Sequence, residues 1–292
     1  NGADSGHVRV FQRDGNSWSQ LGTEIVGEAA GDQFGSSVSL NSDGTILAVG
    51  GRLNDGSGTR AGHTRIYQWS GSSWNQLGAE INAEAGDNWA GNSVSLNGDG
   101  TRVAIGAPRN SSKRGHIRIY QWNGSSWTQL GGDIDASIGD WLGYSVSLSS
   151  DGTIVASGAR YDEGPDGQWE GCIRVYQYNG SSWSQLGSNV FSGVYYSQYG
   201  MAVSLSSDGT IVAGGGPMPL ADSTFRPGIA SVYQWNGSSW NQLGSNIVGE
   251  AHQDYFGWSV SLNGDGTMIA IGAYKNDGNG VESGHTRVYQ IQ

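Results

Sequence analysis

HIRIYQWNGSSWTQLG, residues 116–131, recurs almost unchanged as HTRIYQWSGSSWNQLG at 63–78, and looser copies begin at His7, Cys172 and Ile229. Between the copies lie S-V-S-L or A-V-S-L phrases centred on Val38, Val94, Val146, Val203 and Val260, spaced by 56, 52, 57 and 57 residues. Each is followed by D-G-T (Asp43, Asp99, Asp151, Asp208, Asp265), an apolar run such as TRVAIGA or TIVASGA, a variable loop, and then the next copy. A period of this length marks a supersecondary unit that cannot bury its own faces and must stack on its neighbours.

One unit reads as four strands. S-V-S-L alternates polar and apolar, and Asp-Gly between two such runs is a strong hairpin signal because both residues tolerate positive φ. HIRIYQW alternates with β-branched and aromatic residues that suit a pleated surface. A-I-G-A is apolar on both faces, as a strand covered on both sides must be. Glycine is abundant at 50 residues, proline scarce at 5, and only 36% of the chain is hydrophobic, but 12 Trp, 13 Tyr and 5 Phe supply core. Four-stranded meanders repeated along the chain are expected to stack radially as a β-propeller. The reading is an all-β, single domain over 1–292 with five four-stranded blades, in which segments 1–22 and 256–292 share the closing blade. A solenoid is the alternative, but its rungs are shorter.

Strand counting adds a complication. The chain opens before a third strand and closes after another, so two strands, sixteen, then three make twenty-one, where a five-bladed ring holds twenty. One H-x-R-x-Y strand is surplus. It is expected outside the ring, donated to another chain, or part of a longer array.

The net charge of −11 argues against nucleic acid and anionic membranes, which need a cationic footprint. No apolar run reaches spanning length, so no membrane insertion is expected. No signal peptide is visible, and a chain opening at Asn1 reads as already processed or excised. Cys172 stands alone, which excludes a disulfide framework and a thiolate metal site. Sequons at Asn110, Asn123, Asn179 and Asn236 are candidate glycosylation sites, although three fall within the repeated N-G-S-S turn and also read as turn chemistry.

FGSSVSL (34–40), the D-G-T turns and Gly106-Ala107-Pro108 resemble the FG-GAP repeats of integrin-α-type propellers. Phe-Gly is literal at Phe34-Gly35 and Phe256-Gly257. The resemblance implies an extracellular binding module, secreted or at a cell surface. Such blades often hold calcium in a D-x-D-x-D-G-x-x-D hairpin. Here the first position is Ser39, Ser95, Ser147, Ser204 or Ser261 and the ninth is Leu47, Val103, Val155, Val212 or Ile269. One Asp per hairpin is too few oxygens for a hard cation, so the Asp reads as turn chemistry and no cofactor is expected.

No G-x-S-x-G, H-E-x-x-H or P-loop signature is present. His7, His63, His116 and His285 share one repeat position with Cys172 and Ile229, and Arg9, Arg65, Arg118, Arg174 and Arg287 share another with Ser231; both series read as packing or ion-pair groups. His252 lies outside the register.

Repeat positions that disagree are the better functional candidates. Around the recurring Gly35, Gly91, Gly143, Gly200 and Gly257 they give Asp32, Trp89, Asn92, Asp140, Trp141, Tyr144, Asp254, Tyr255 and Trp258 as a candidate ligand-binding set. The loops 52–61, 108–114, 160–170, 216–227 and 274–283 are expected on the same face. Flat rings among carboxylates and carboxamides suit carbohydrate; the same rings could simply plug the channel. Asp162, Glu163 and Asp166 in the acidic loop are weaker candidates for a cation. The expected function is non-catalytic recognition or adhesion with a glycan or extracellular protein as partner. Self-association through terminal strands into a filament or surface layer is the alternative, and a polysaccharide-acting enzyme comes last.

Overall fold

The computed structural model describes residues 2–218 and 227–291. The described residues are all-β apart from one turn of helix, Asn110–Lys113, inside a variable loop. Five antiparallel sheets follow one another, each pairing its strands in chain order. The first holds Phe34–Leu40, Ile46–Gly51, His63–Trp69 and Trp74–Gln76, and the second Ser93–Leu96, Arg102–Ala107, His116–Trp122 and Trp127–Gln129. The third holds Leu142–Leu148, Ile154–Ala159, Cys172–Tyr178 and Trp183–Gln185, and the fourth Ala202–Leu205, Ile211–Gly216, Ile229–Trp235 and Trp240–Val248. The fifth has Phe256–Leu262, Met268–Ala273 and His285–Gln290.

The turns form as their residues dictate. Asp43 Oδ1 accepts the N–H and hydroxyl of Thr45, and Asp99, Asp151, Asp208 and Asp265 hold their threonines likewise. In the N-G-S-S turns, Asn123, Asn179 and Asn236 accept two following N–H groups each.

Sheet-to-sheet contact explains the rest of the repeat. A Cβ at Gly50, Gly106, Gly158 or Gly215 would lie only 1.7–2.1 Å from the carbonyl oxygen of Gly91, Gly143, Gly200 or Gly257 in the next sheet, so these strands need glycine for close approach. The serines of the first strands also bridge sheets: Leu96, Leu148, Leu205 and Leu262 N–H donate to Ser39, Ser95, Ser147 and Ser204 Oγ at 2.9–3.0 Å. Trp74, Trp127, Trp183 and Trp240 each donate Nε1–H across the boundary to Leu21, Leu77, Leu130 and Leu186 carbonyls at 2.8–3.0 Å. The W-x-Q-L-G phrase is architecture. Apolar cores fill the boundaries, as where Ile46, Ala48 and Ile66 of the first sheet meet Val94, Leu96 and Val103 of the second.

These series stop at the two ends. Val38 and Leu40 are 53% and 47% exposed, whereas their equivalents Val94 and Leu96 are buried. Val288 is 59% exposed, whereas Ile66, Ile119, Val175 and Val232 are buried. Gly272 meets only its own sheet's Ser259. The N-terminal strands pair among themselves, His7–Val8 with Ile25–Val26 and Phe11–Asp14 with Ser17–Gln20. Among the described residues they do not pair with 256–291, so the expected sharing of one blade by 1–22 and 256–292 is not seen as a hydrogen-bonded sheet. Instead Gly6 bridges Phe34 in parallel, as Gly62, Gly115 and Gly228 bridge Ala90, Leu142 and Phe256. The N-terminal strands thus take the third-strand place ahead of the first sheet.

Candidate functional site

Two residues before each recurring glycine the backbone is left-handed: Gln33 (φ 52°), Trp89 (58°), Trp141 (60°), Gln198 (55°) and Tyr255 (56°). Side chains other than glycine are disfavoured there by about 1–3 kcal/mol, so the ones present are held by something. A cation at the start of the variable loop meets four of them. Arg52 Nε donates to Gln33 Oε1 at 2.8 Å, while Arg109, Arg160 and Lys275 lie over the rings of Trp89, Trp141 and Tyr255 at 4.6, 4.8 and 5.5 Å. In the fourth sheet the equivalent positions are Pro217 and Met218, so Gln198 meets no cation from this place.

The aspartates proposed for ligand contact have other duties. Asp32 and Asp254 are buried, cap the Ala29 and Ala251 N–H groups, and accept from Asn54 and Asn276 Nδ2. Sequence reading missed this because the asparagines lie in the variable loops. Asn92 is likewise committed, donating to the Tyr144 carbonyl of the next sheet at 2.9 Å.

The aromatics do gather. Trp89 meets Trp141 at 6.2 Å, Trp141 meets Tyr161 at 5.3 Å, and Tyr161 meets Trp169 at 6.3 Å, all near T-shaped. Arg160 lies 4.0 Å over Tyr144 and 4.6 Å over Tyr161. Tyr161 and Trp169, which the sequence reading did not single out, sit in the loop 160–170, whose counterparts in the other repeats differ from it in length and residues. Tyr255, Trp258 and Tyr274 make a second cluster in the fifth sheet, with centroids 4.5–6.3 Å apart.

The larger aromatic row borders a cavity of about 900 Å³ lined by Lys113, Asp140, Trp141, Tyr161, Trp169 and Arg174, among others. It opens where the third sheet departs from the pattern. Three repeat arginines bind an acid fifteen residues on, Arg9 with Glu24, Arg65 with Glu80 and Arg118 with Asp133, while Arg287 pairs with Glu250. The residue fifteen beyond Arg174 is Asn189. Arg174 therefore turns to Asp140 Oδ2, at 2.7 Å, and to Asp162, both through Nη2, and its buried Nε has no hydrogen-bond partner. Burial raises the Asp162 pKa against the pull of Arg174, with Asp140 adding repulsion. Burial also pushes the Cys172 thiol well up, which leaves it a packing group rather than a nucleophile.

The weaker cation candidates are not brought together. Asp162 faces Arg174, Glu163 Oε1 accepts from Trp169 Nε1 at 3.0 Å, and Asp166 Oδ2 accepts from the Tyr195 hydroxyl at 2.7 Å. These bonds, with Tyr196 OH to Gln168 Oε1 at 2.9 Å and the buried Glu170 carboxylate accepting from Gly193 and Val194 N–H, tie the loop to the segment 193–196. Of the sequons, Asn110 is buried at 6% exposure, which removes it as a glycan acceptor in this fold. Asn123, Asn179 and Asn236 are exposed at turn tips.

Comparison with known proteins agrees with this architecture. Residues 249–289 match the FG-GAP repeat model. No curated protein matches the chain in sequence. Among solved structures, a putative 6-phosphogluconolactonase from Bacteroides uniformis superposes with TM-score 0.53 at 10% identity, covering 98% of this chain and 92% of its own. Hydrazine synthase from Kuenenia stuttgartiensis superposes with TM-score 0.52 at 14% identity over 86% of this chain; the chain spans 61% of that protein's length. At such identities the likeness is one of fold. The chain is an all-β succession of antiparallel sheets similar in fold to β-propeller-like proteins, and within it residues 249–289 match an FG-GAP repeat.

Proposed function

We propose that the chain is a non-catalytic recognition module of the extracellular or cell-surface kind, binding carbohydrate in the cavity beside Trp141. The observation that carries this reading is the row Trp141, Tyr161 and Trp169 at a cavity of about 900 Å³. Rings held at the mouth of a cleft of this size offer flat apolar faces to sugar rings, and Lys113 and Asn189 offer polar partners to hydroxyls. Chemistry is disfavoured because Asp140 and Asp162 both spend oxygens on one arginine nitrogen; glycoside hydrolysis needs two carboxylates flanking a substrate bond. Trp169 is half exposed, so Trp169→Ala should reduce glycan binding at least about tenfold with little change in melting temperature. Glycan-array screening followed by calorimetry reads this. Unchanged affinity for the best glycan would sink the assignment to this cavity.

A second reading rests on the open ends. The face bearing Val38 and Leu40 lacks the first and second strands that would precede it, and Phe256–Leu262 with Met268–Ala273 has the matching repeat pattern. Supplied within the chain, those strands complete a five-bladed ring. Supplied by a second copy, they make a head-to-tail array. Either way one of two third strands, His7–Val8 with Phe11–Asp14 or His285–Gln290, must give way, which is the surplus strand of the count.

A further inference from the structure

We propose that Glu28, His63 and Glu80 form a binding site for a zinc-class divalent metal, repeated one sheet on by Glu84, His116 and Asp133. Each trio brings one ligand-type atom per residue within 4.8 Å of the other two. His63 is 1% exposed, and neither of its ring nitrogens has a hydrogen-bond partner; Nδ1 lies 3.6 Å from Glu80 Oε2. A buried imidazole with no partner is uncommon enough to require a cause. Ligand atoms bound to zinc at about 2.0–2.1 Å in a tetrahedron stand roughly 3.3 Å apart, so the observed gap needs only a small closing movement.

The charges point the same way. Arg65 gives its Nε and Nη2 to Glu80 Oε2, at 3.1 and 2.9 Å, and also pairs with Glu28. One guanidinium faces two carboxylates, so the cluster keeps one unbalanced negative charge beside the imidazole. Glu28 is half exposed and gives the site a route from solvent. In the second trio Arg118 sits between Asp133 and Glu84 in the same way.

The repeats supply an independent argument. An acid lies seventeen residues after each of three histidines: Glu24 after His7, Glu80 after His63, Asp133 after His116. An acid also precedes the strand at Glu28, Glu84 and Glu250, ahead of His63, His116 and His285. In the third sheet, where Cys172 replaces histidine, the following position is Asn189 and the preceding one falls at Ala136 or Ser137. In the fourth, Ile229 is accompanied by Asn246 and Gly193. All three ligand types are lost together. Arginine follows the same loss in the fourth sheet, where Ser231 replaces it, but persists in the third, where Arg174 pairs instead with Asp140 and Asp162. One carboxylate comes from the connection before the sheet and one from the connection after its fourth strand, so the metal would tie both connections to the sheet's third strand.

Zinc titration by calorimetry of chelator-stripped full chain, with calcium as control, tests this. Wild type should take up about two zinc ions per chain with a dissociation constant below about 10 μM, consistent with a mixed imidazole–carboxylate set. Glu28→Gln and Glu84→Gln, both at accessible side chains, should each remove about one ion, and the pair together both. His63→Ala should match Glu28→Gln, with circular dichroism as the folding control. Cobalt should give the visible absorption of a four-coordinate centre, absent in the double glutamine variant. Zinc uptake unchanged in that double variant, or no uptake by the folded wild type, overturns the proposal.

Discussion

A methyl group at Gly158 would sit 1.7 Å from the Gly200 carbonyl oxygen of the next sheet. Neither backbone can retreat without opening the boundary, so Gly158→Ala is expected to lose about 2–3 kcal/mol in chemical denaturation; a loss under about 0.5 would show that the sheets do not approach this closely. Gly272→Ala is the matched control and should be nearly silent in an isolated chain. The D-G-T turns give a pH prediction. The Thr267 hydroxyl and N–H hold the Asp265 carboxyl below its usual pKa, as Thr45 does for Asp43. A depressed carboxylate adds stability above its unfolded pKa of about 3.9 and loses it as pH falls through the lower folded value. Thr267→Val should therefore raise the Asp265 pKa in an NMR titration and shift the onset of acid unfolding upward. At this scale the sequence was informative where repeats could be compared. Trp89 and Trp141 stood out as departures from a series, whereas Tyr161 and Trp169 lie in a loop whose counterparts vary too much in length and residues to set one. Asp32 and Asp254 misled because their partners, Asn54 and Asn276, lie in loops that do not align by eye.

The unit of construction is the strand pair joined across a boundary. Trp183 donates to the Leu130 carbonyl and packs at 5.2 Å against Tyr178. Trp183→Phe keeps most of the packing and removes the bond, for an expected loss of about 1 kcal/mol. Trp18, which holds the same place in the repeat phrase, is 69% exposed, and Trp18→Phe should cost nothing measurable. Equal losses at both positions would mean that the N-terminal strands are covered in solution. Strand positions, hairpin turns and the doubly covered second strands were all legible, because alternation and Asp-Gly chemistry act locally. The break of HVRVFQR into His7–Val8 and Phe11–Asp14 was not. That strand lacks the preceding first and second strands on which its equivalents are built, and nothing in its own seven residues says so.

For the molecule as a whole, the open faces decide what is measured first. Light scattering on the eluting protein should give the mass of one chain if the ends close on each other, and concentration-dependent multiples if a second copy completes them. Val38→Lys with Val288→Lys places charge on both exposed faces; it should abolish any multiples and leave the fold intact. Multiples that survive this pair of changes would exclude the sheet faces as the contact. The architecture was readable from periodicity and composition, since a face that cannot be buried within one repeat must be buried by the next. How the ends meet was not readable, because it depends on curvature summed over five boundaries.

The serine-to-leucine bonds carry a consequence for how such a chain changes length. Each boundary between the first four sheets is made by the same few atoms: a glycine against a glycine carbonyl, a serine hydroxyl under a leucine amide, an indole on a leucine carbonyl. The outgoing side of the second sheet and the incoming side of the fourth are therefore a matched pair that never touch. Excising one whole period, such as 144–200, would join them with no new chemistry required. Duplication of a period is equally neutral at the joints. The variable loops are then the part of each copy free to diverge, so gain or loss of repeats in genetic recombination would change the loop surface while leaving the framework's joinery the same.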